Sequence, residues 1–352
     1  MNIVVSILIL GLLIFMHELG HFVAAKRAGI FVHELSFGMG PRIAGIRRGE
    51  TTYNVRALPF GGFCRMASVL DPTEEADAPP VAPERLFESQ RLGRRIGVIG
   101  AGPVMNFVLA IVLIFAVYGF IGVEQPLASS TLIGNVVADG PAAAAGIKAG
   151  DRILSVNGSP VSDWQSMVAL IQESLGTDVV VTFERDDGEQ QVVVTPAPHP
   201  QDATIGYLGI ASSTVTIRLP IGKALTTSIT ETWRMLGLWL AAIGGLFRGQ
   251  GSPHVTGPIG IIQMLGEASQ FGLANLFFLA AVISANFGLI NLLPIPALDG
   301  SRLVFFVVEA LRGKPVPPEQ EGKVHMVGYG LLMGLLVLLT YRDLARIIGG
   351  GL

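Results

Sequence analysis

Phe15-Met16-His17-Glu18-Leu19-Gly20-His21-Phe22 sets an H-E-x-x-H pattern at the end of a segment, residues 2 to 16, that carries no charge. On a helix, positions i and i+4 share a face, so two imidazoles so spaced can hold one zinc ion while the Glu beside them activates water. Ionisable groups placed in hydrocarbon are costly and usually mark function. The stretch therefore predicts metal-dependent hydrolysis at a membrane. The alternative is a helix whose end reaches the interface with a chance His and Glu pair.

Composition points the same way. A chain of 352 residues that is 50% hydrophobic and only 14% charged is too apolar for an ordinary soluble protein. A net charge of −3 and the lack of a dense Lys/Arg block make nucleic acid an unexpected partner. The single cysteine, Cys64, excludes an internal disulfide and a cysteine zinc cluster. The N-terminal run lacks the basic start of a secretory signal, and cleavage at its end would discard His17 and Glu18, so it reads as a retained transmembrane helix.

Three further stretches approach the roughly 20 apolar residues that a spanning helix needs: residues 96–123, 268–298 and 324–341. Met235 to Phe247 is too short and follows Glu231 and Arg234, so residues 222–247 are expected to form an interfacial or re-entrant helix. Lys and Arg are concentrated between the first two spans, from Lys26 to Arg95. By the positive-inside rule that loop is cytoplasmic, which puts the N-terminus outside and the two histidines toward the cytoplasmic end of the first helix. The third span then returns inward with Asp299 at its cytoplasmic end.

A catalytic zinc usually takes three protein ligands. Asp299, in Ala297-Leu298-Asp299-Gly300, is the best candidate for the third, being the first acidic residue after a long uncharged span. The other reading is a residue that merely marks the membrane boundary. Pro294 and Pro296 break the helix just before it and leave extended backbone where only a protein-lined or wet cavity tolerates it. Asn291 lies in the same segment, and its amide needs partners that a substrate backbone or a neighbouring helix could supply.

Residues 128–197 change character, with alternating strand-like runs, turn residues and more charge. The run from Gly134 through Pro141-Ala142 and Ala149-Gly150-Asp151-Arg152-Ile153 to Asn157-Gly158 reads as strand, short helix, Gly-ended turn, strand and Asn-Gly hairpin turn. It is similar to a PDZ domain of the kind found with bacterial proteases. Such domains capture extended peptides by strand addition, and the module could also plug access to the membrane site.

Taken in order, His17-Glu18-Leu19-Gly20-His21, the PDZ-like run, Val255-Thr256-Gly257-Pro258-Ile259-Gly260-Ile261 and Asn291 to Gly300 resemble the site-2 protease family, especially its bacterial regulators of sigma-E type. Ser36 to Pro41, Leu58 to Phe63 and Ala101-Gly102-Pro103-Val104-Met105-Asn106-Phe107 also match. The resemblance implies a zinc metalloprotease that cuts transmembrane helices of pre-cleaved proteins, anti-sigma factors or remnant signal peptides. It also implies zinc on His17, His21 and Asp299, Glu18 as general base, and Asn291 as a holder of substrate backbone. Strands around residues 51–66 would form a membrane-associated β-hairpin beside the site. Ser301-Arg302 follows Asp299-Gly300 where Gly-His is common, and a single PDZ copy is visible where some members carry two.

The expected fold is an α-helical polytopic membrane protein of about four transmembrane helices, with a membrane-associated β-hairpin and an inserted α+β PDZ domain. The expected organisation is residues 1–123 with the first two spans, 124–200 for the PDZ domain, 201–267 for a linker and interfacial helix, and 268–352 for the last two spans. The expected partners are the lipid bilayer, transmembrane substrates, and peptide termini at the PDZ domain. The expected location is a bacterial cell membrane, with the PDZ domain outside. Serine- and aspartyl-type intramembrane proteolysis lack their residue pairs. A metal-free PDZ scaffold and a zinc transporter or sensor are the rivals; intact H-E-x-x-H and Asp299 argue against the first, and the second leaves Glu18 without a role.

Overall fold

A computed structural model describes residues 2–69, 81–186, 188–249 and 256–348. The chain forms two compact units, one of Met1–Ile121 with Leu219–Leu352, the other of Gly122–Arg218. Among the described residues, four helices are long and apolar enough to cross a membrane: Ile3–Ala28, Leu92–Ile121, Leu273–Leu292 and Glu319–Ile348.

In the first unit, helix α1 (Asn2–Ala28) leads into a long antiparallel hairpin, β1 (Val32–Arg48) and β2 (Thr51–Met66). The hairpin extends well beyond the residues 51–66 expected from the resemblance. Its base is fixed by a buried polar knot, in which the Glu34 carboxylate accepts from Ser36, from Asn54 at 2.6 Å and from Arg56 at 2.6 Å. Farther out it exposes Met39, Ile43, Ile46, Val55 and Leu58. Helix α2 (Leu92–Ala116) continues through a π turn, Val117–Ile121.

After the second unit come α5 (Ile221–Phe247), α6 (Pro258–Gln270), α7 (Leu273–Leu292), α8 (Asp299–Arg312) and α9 (Pro318–Ile348). Residues 222–247, expected as one interfacial or re-entrant helix, do form one continuous helix, which packs Met235 and Leu236 against Ala110, Ile114, Ala281 and Ala285. The third apolar stretch is shorter than its uncharged run, because Gly272 adopts φ +100 and separates α6 from α7. The Val255 to Ile261 motif opens α6, with Val255 itself outside the described residues. The buried Asp343 of α9 accepts from the N–H of Gly260 at 2.8 Å, satisfying a donor of the first turn that α6 leaves open.

The second unit holds β3 (Val123–Pro126), β4 (Ile133–Val136), α3 (Pro141–Ala144), β5 (Arg152–Val156), β6 (Ser159–Pro160), α4 (Trp164–Gln172), β7 (Val179–Arg185) and β8 (Gly188–Val194). Strands β6, β5, β7 and β8 lie side by side in that order. Asn157 (φ 52) and Gly158 (φ 75) close the β5–β6 hairpin, the left-handed pair that an Asn-Gly turn supplies. Asp163 caps α4 by accepting from Ser166 N–H at 2.9 Å. Ile133, Ile153, Met167, Val181 and Phe183 fill the core.

Residues 201–220, expected as part of a linker, instead carry three further strands. With β9 (Ala197–His199) come β10 (Asp202–Tyr207), β11 (Ile210–Ser212) and β12 (Thr214–Ile217), which pair with β9, β4 and β3 respectively. These strands are three to six residues long, and β11 and β12 close against partners far back in the chain, so local periodicity gives them little signal.

Candidate active site

Helix α1 carries His17 and His21 one turn apart on one face, both buried, with their Nε2 atoms 3.1 Å apart. Asp299 reaches them from the other end of the chain. Helix α7 stops at Leu292 because Pro294 has no N–H to donate and disfavours helix in the residue before it. The backbone is extended at Leu293, turns through Ala297 at φ +77, and resumes as α8 with Asp299 as its first residue. Asp299 Oδ2 lies 3.1 Å from His17 Nε2 and 3.3 Å from His21 Nε2.

Each imidazole is also held by its far nitrogen. His21 Nδ1 lies 2.8 Å from the carbonyl of Val98, so it carries the proton and leaves Nε2 as a lone pair. Val98 sits in the turn of α2 before Pro103, and its carbonyl meets the imidazole. His17 Nδ1 lies 3.2 Å from the amide of Asn106, a fully buried side chain. The amide orientation that sets Oδ1 against His17 Nδ1–H gives that otherwise orphaned oxygen a partner and again frees Nε2. Gly102 lets α2 approach this closely, since a Cβ there would stand 2.8 Å from His17 Cε1.

Three observations fit this cluster to a zinc ion. Two Nε2 lone pairs and one carboxylate oxygen face a common point. Their separations of 3.1 to 3.3 Å match the roughly 3.3 Å expected between ligands of a tetrahedral zinc with bonds of about 2.0 Å. Asp299 Oδ2 is buried without a hydrogen bond of acceptable geometry, the position of an anion that needs a cation. Among the described residues, His17, His21 and Asp299 are the one group of three or more His, Cys, Asp or Glu placed to share a metal.

Glu18, beside His17, is turned to the hairpin, where its Oε2 accepts the backbone N–H of Cys64 at 3.0 Å. Burial pushes the Cys64 thiol up to about 12, with the Glu18 carboxylate as a second cause, so the thiol stays protonated and inert. A cavity of about 450 Å³ is lined by His17, Glu18, His21, Asn291, Asp299 and Tyr329, among others. All five residues singled out in the sequence therefore meet at one site. Asn291 donates to the carbonyl of Phe287 in its own helix at 3.0 Å, so that part of its amide is satisfied without any ligand.

Sequence reasoning missed the supporting groups. Asn106 stood in a matched motif without a role, although a buried amide in an apolar span is as conspicuous as the one at Asn291. The Val98 carbonyl and the Cys64 N–H are backbone atoms, to which no residue type points.

The model of peptidase family M50 matches residues 5–335. The chain is 32% identical to "Zinc metalloprotease RasP" of Geobacillus kaustophilus over 98% of both chains. It is 31% identical to "Regulator of sigma-W protease RasP" of Bacillus subtilis, covering 98% of this chain and 99% of that one. It is 32% identical to "Probable protease eep" of Enterococcus faecalis, covering 98% and 99%. The PDZ domain of an SdrC-like protein from Listeria monocytogenes is similar to 25% of this chain over 92% of its own length, at 23% identity and a TM-score of 0.22, too low to carry an argument.

Proposed function

This chain belongs to peptidase family M50, the site-2 proteases, and from that membership we propose that His17, His21 and Asp299 hold its zinc, that Glu18 is its general base, and that Asn291 helps hold substrate backbone. The chain is an intramembrane zinc metalloprotease. One observation carries the residue assignment: donor atoms from α1 and from the α7–α8 corner converge within 3.3 Å, with the far nitrogens of both histidines engaged.

When bound, zinc supplies a Lewis acid that polarises a scissile carbonyl and lowers the pKa of water toward about 7. Glu18 does the proton work. Its Oε2 is held by the Cys64 N–H, which leaves Oε1 to take the proton of the attacking water and later deliver it to the leaving amine nitrogen. Val98 and Asn106 hold the imidazoles in the tautomer that presents Nε2. A helical substrate hides its carbonyls in its own hydrogen bonds, so it must unwind locally, and Asn291 at the cavity wall offers an amide to the freed backbone.

The site lies toward the cytoplasmic face, and the N-terminus and the second unit lie outside. The basic stretch from Lys26 to Arg95 supports this orientation. The meeting of Asp299 with the histidines supports an even number of crossings between them, since a crossing by α5 would leave them on opposite faces. Residues 1–123 and 268–352 supply the catalytic spans and residues 124–200 the PDZ core. The exposed apolar edge of the β1–β2 hairpin rests in the membrane. Substrates are membrane proteins already shortened by another protease, anti-sigma factors or remnant signal peptides, and the PDZ domain binds their new peptide termini.

The test is cleavage of a reporter with a Gly-containing transmembrane helix by the purified protein in detergent. Loss of cleavage in Glu18→Gln with zinc retained, and loss on chelation with recovery on zinc addition, are the expected results. Turnover by Glu18→Gln would overturn the assigned base. Protein purified without zinc and without activity would favour a PDZ scaffold.

A further inference from the structure

Helix α9 touches the site through a contact that zinc ligation does not explain. His325, the second residue of its apolar portion, accepts the backbone N–H of Ala297 on Nδ1 at 3.1 Å. Ala297 is one of three non-glycine residues with positive φ among those described, at +77, and it lies two residues before Asp299. A β-carbon is strained in that region and persists only where the surroundings hold it. One turn further on, Gly328 lies against Pro296, so tightly that a Cβ there would stand 2.5 Å from the Pro296 carbonyl carbon. The His325 ring is set edge-on to Phe305 of α8, centroids 5.9 Å apart, and its Nε2 lies 3.6 Å from Glu321.

The rest of α9 is loosely held. Only 6% of its apolar window is buried, against 39% for α7. Its polar ties to the unit include Asp343 at its far end, the long Glu321–Arg302 ion pair at 3.8 Å and the grip on the Pro294–Asp299 corner.

We propose that His325 is a positioning residue that clasps Ala297 in its left-handed conformation and thereby aims Asp299 at His17 and His21. The inference rests on the ligand assignment proposed above. His325 touches no ligand itself; it acts through two residues of backbone. An aromatic or aliphatic side chain in its place lacks the acceptor, so Ala297 relaxes to negative φ and the carboxylate swings off its line. Supporting groups of metal sites typically cost 10- to 100-fold in affinity when lost.

Zinc dissociation constants from chelator competition on the full-length protein in detergent test this, with Asp299→Ala as reference. His325→Phe keeps the ring and should weaken zinc binding about 10- to 100-fold. His325→Asn, whose Oδ1 can stand where Nδ1 stands, should restore most of it. Ala297→Gly combined with His325→Phe should also recover binding, because glycine adopts positive φ without a clasp. Unchanged affinity in His325→Phe, beside a large loss in Asp299→Ala, would overturn the clasp alone. A loss in His325→Phe that neither His325→Asn nor Ala297→Gly relieves would also overturn it. Full affinity in Asp299→Ala would overturn the ligand assignment and the clasp with it.

Discussion

Asp299 in the membrane unit and Asp151 in the second unit are both carboxylates withdrawn from water, yet their surroundings differ in kind. Asp151 is 1% exposed and fully answered: Arg185 donates to both its oxygens at 2.7 Å, and the N–H of Lys148 adds a third bond at 2.7 Å. Asp299 faces two imidazole nitrogens, and among the described residues no Lys or Arg forms an ion pair with it. A carboxylate with its own guanidinium belongs to the architecture. One that lacks a counter-ion, opposite two lone pairs held by second partners, is built for an ion from outside.

The sharpest way to break this contrast is to remove each group. Asp299→Ala should lose zinc and all cleavage, while Asp151→Asn should keep a full zinc complement by metal analysis. Loss of zinc from Asp151→Asn would collapse the distinction. Glu18→Gln should reduce turnover by roughly 10²- to 10⁴-fold, the usual share of a general base, with zinc retained.

A smaller effect is expected one layer out. Asn106→Leu removes the partner of His17 Nδ1 and should weaken zinc affinity about 10- to 100-fold, measured by chelator competition. Wild-type affinity would mean that His17 needs no support. Asp151→Asn itself should act only on the second unit, raising amide exchange along β5 and β7 with no change in the membrane helices. Equal exchange in both forms would show that the Asp151–Arg185 pair contributes nothing to that unit.

The smallest effect concerns Glu50, at the turn between β1 and β2, a surface carboxylate with two cations. Hydrogen bonding from Arg85 is the main reason its carboxyl is held down at about 2, and Lys26 adds to it. A carboxyl depressed in the folded state contributes stability that is present above its unfolded value of about 4.3 and is lost as pH falls toward 2. Because the pair is exposed, the contribution is modest. Melting temperatures from pH 5 down to pH 2.5 should fall slightly less steeply in Glu50→Gln than in the parent, and identical slopes would assign the loss to other carboxylates.

Much of this was legible in the chain. H-E-x-x-H is local chemistry written at helical spacing, and Asn157-Gly158 fixes its own turn, so both survive translation into three dimensions without help from neighbours. Pro294 and Pro296 announced the end of α7 for the same reason. Strands β10 to β12 were missed because each is short, and because β11 and β12 find their partners 74 to 94 residues earlier in the chain. Asn106, the Cys64 N–H and His325 were missed because their roles belong to whatever stands opposite them.

The sequence by itself determined the membrane spans, the two histidines and their glutamate, and the break that exposes Asp299, since hydropathy, helical period and proline stereochemistry act over a few residues. Only the tertiary structure decided that Asp299 meets both Nε2 atoms within 3.3 Å, that Val98 and Asn106 set the tautomers, and that His325 grips Ala297. Those are distances between segments far apart in the chain. They follow from how α1, α2, α7 and α9 pack, which no local pattern encodes.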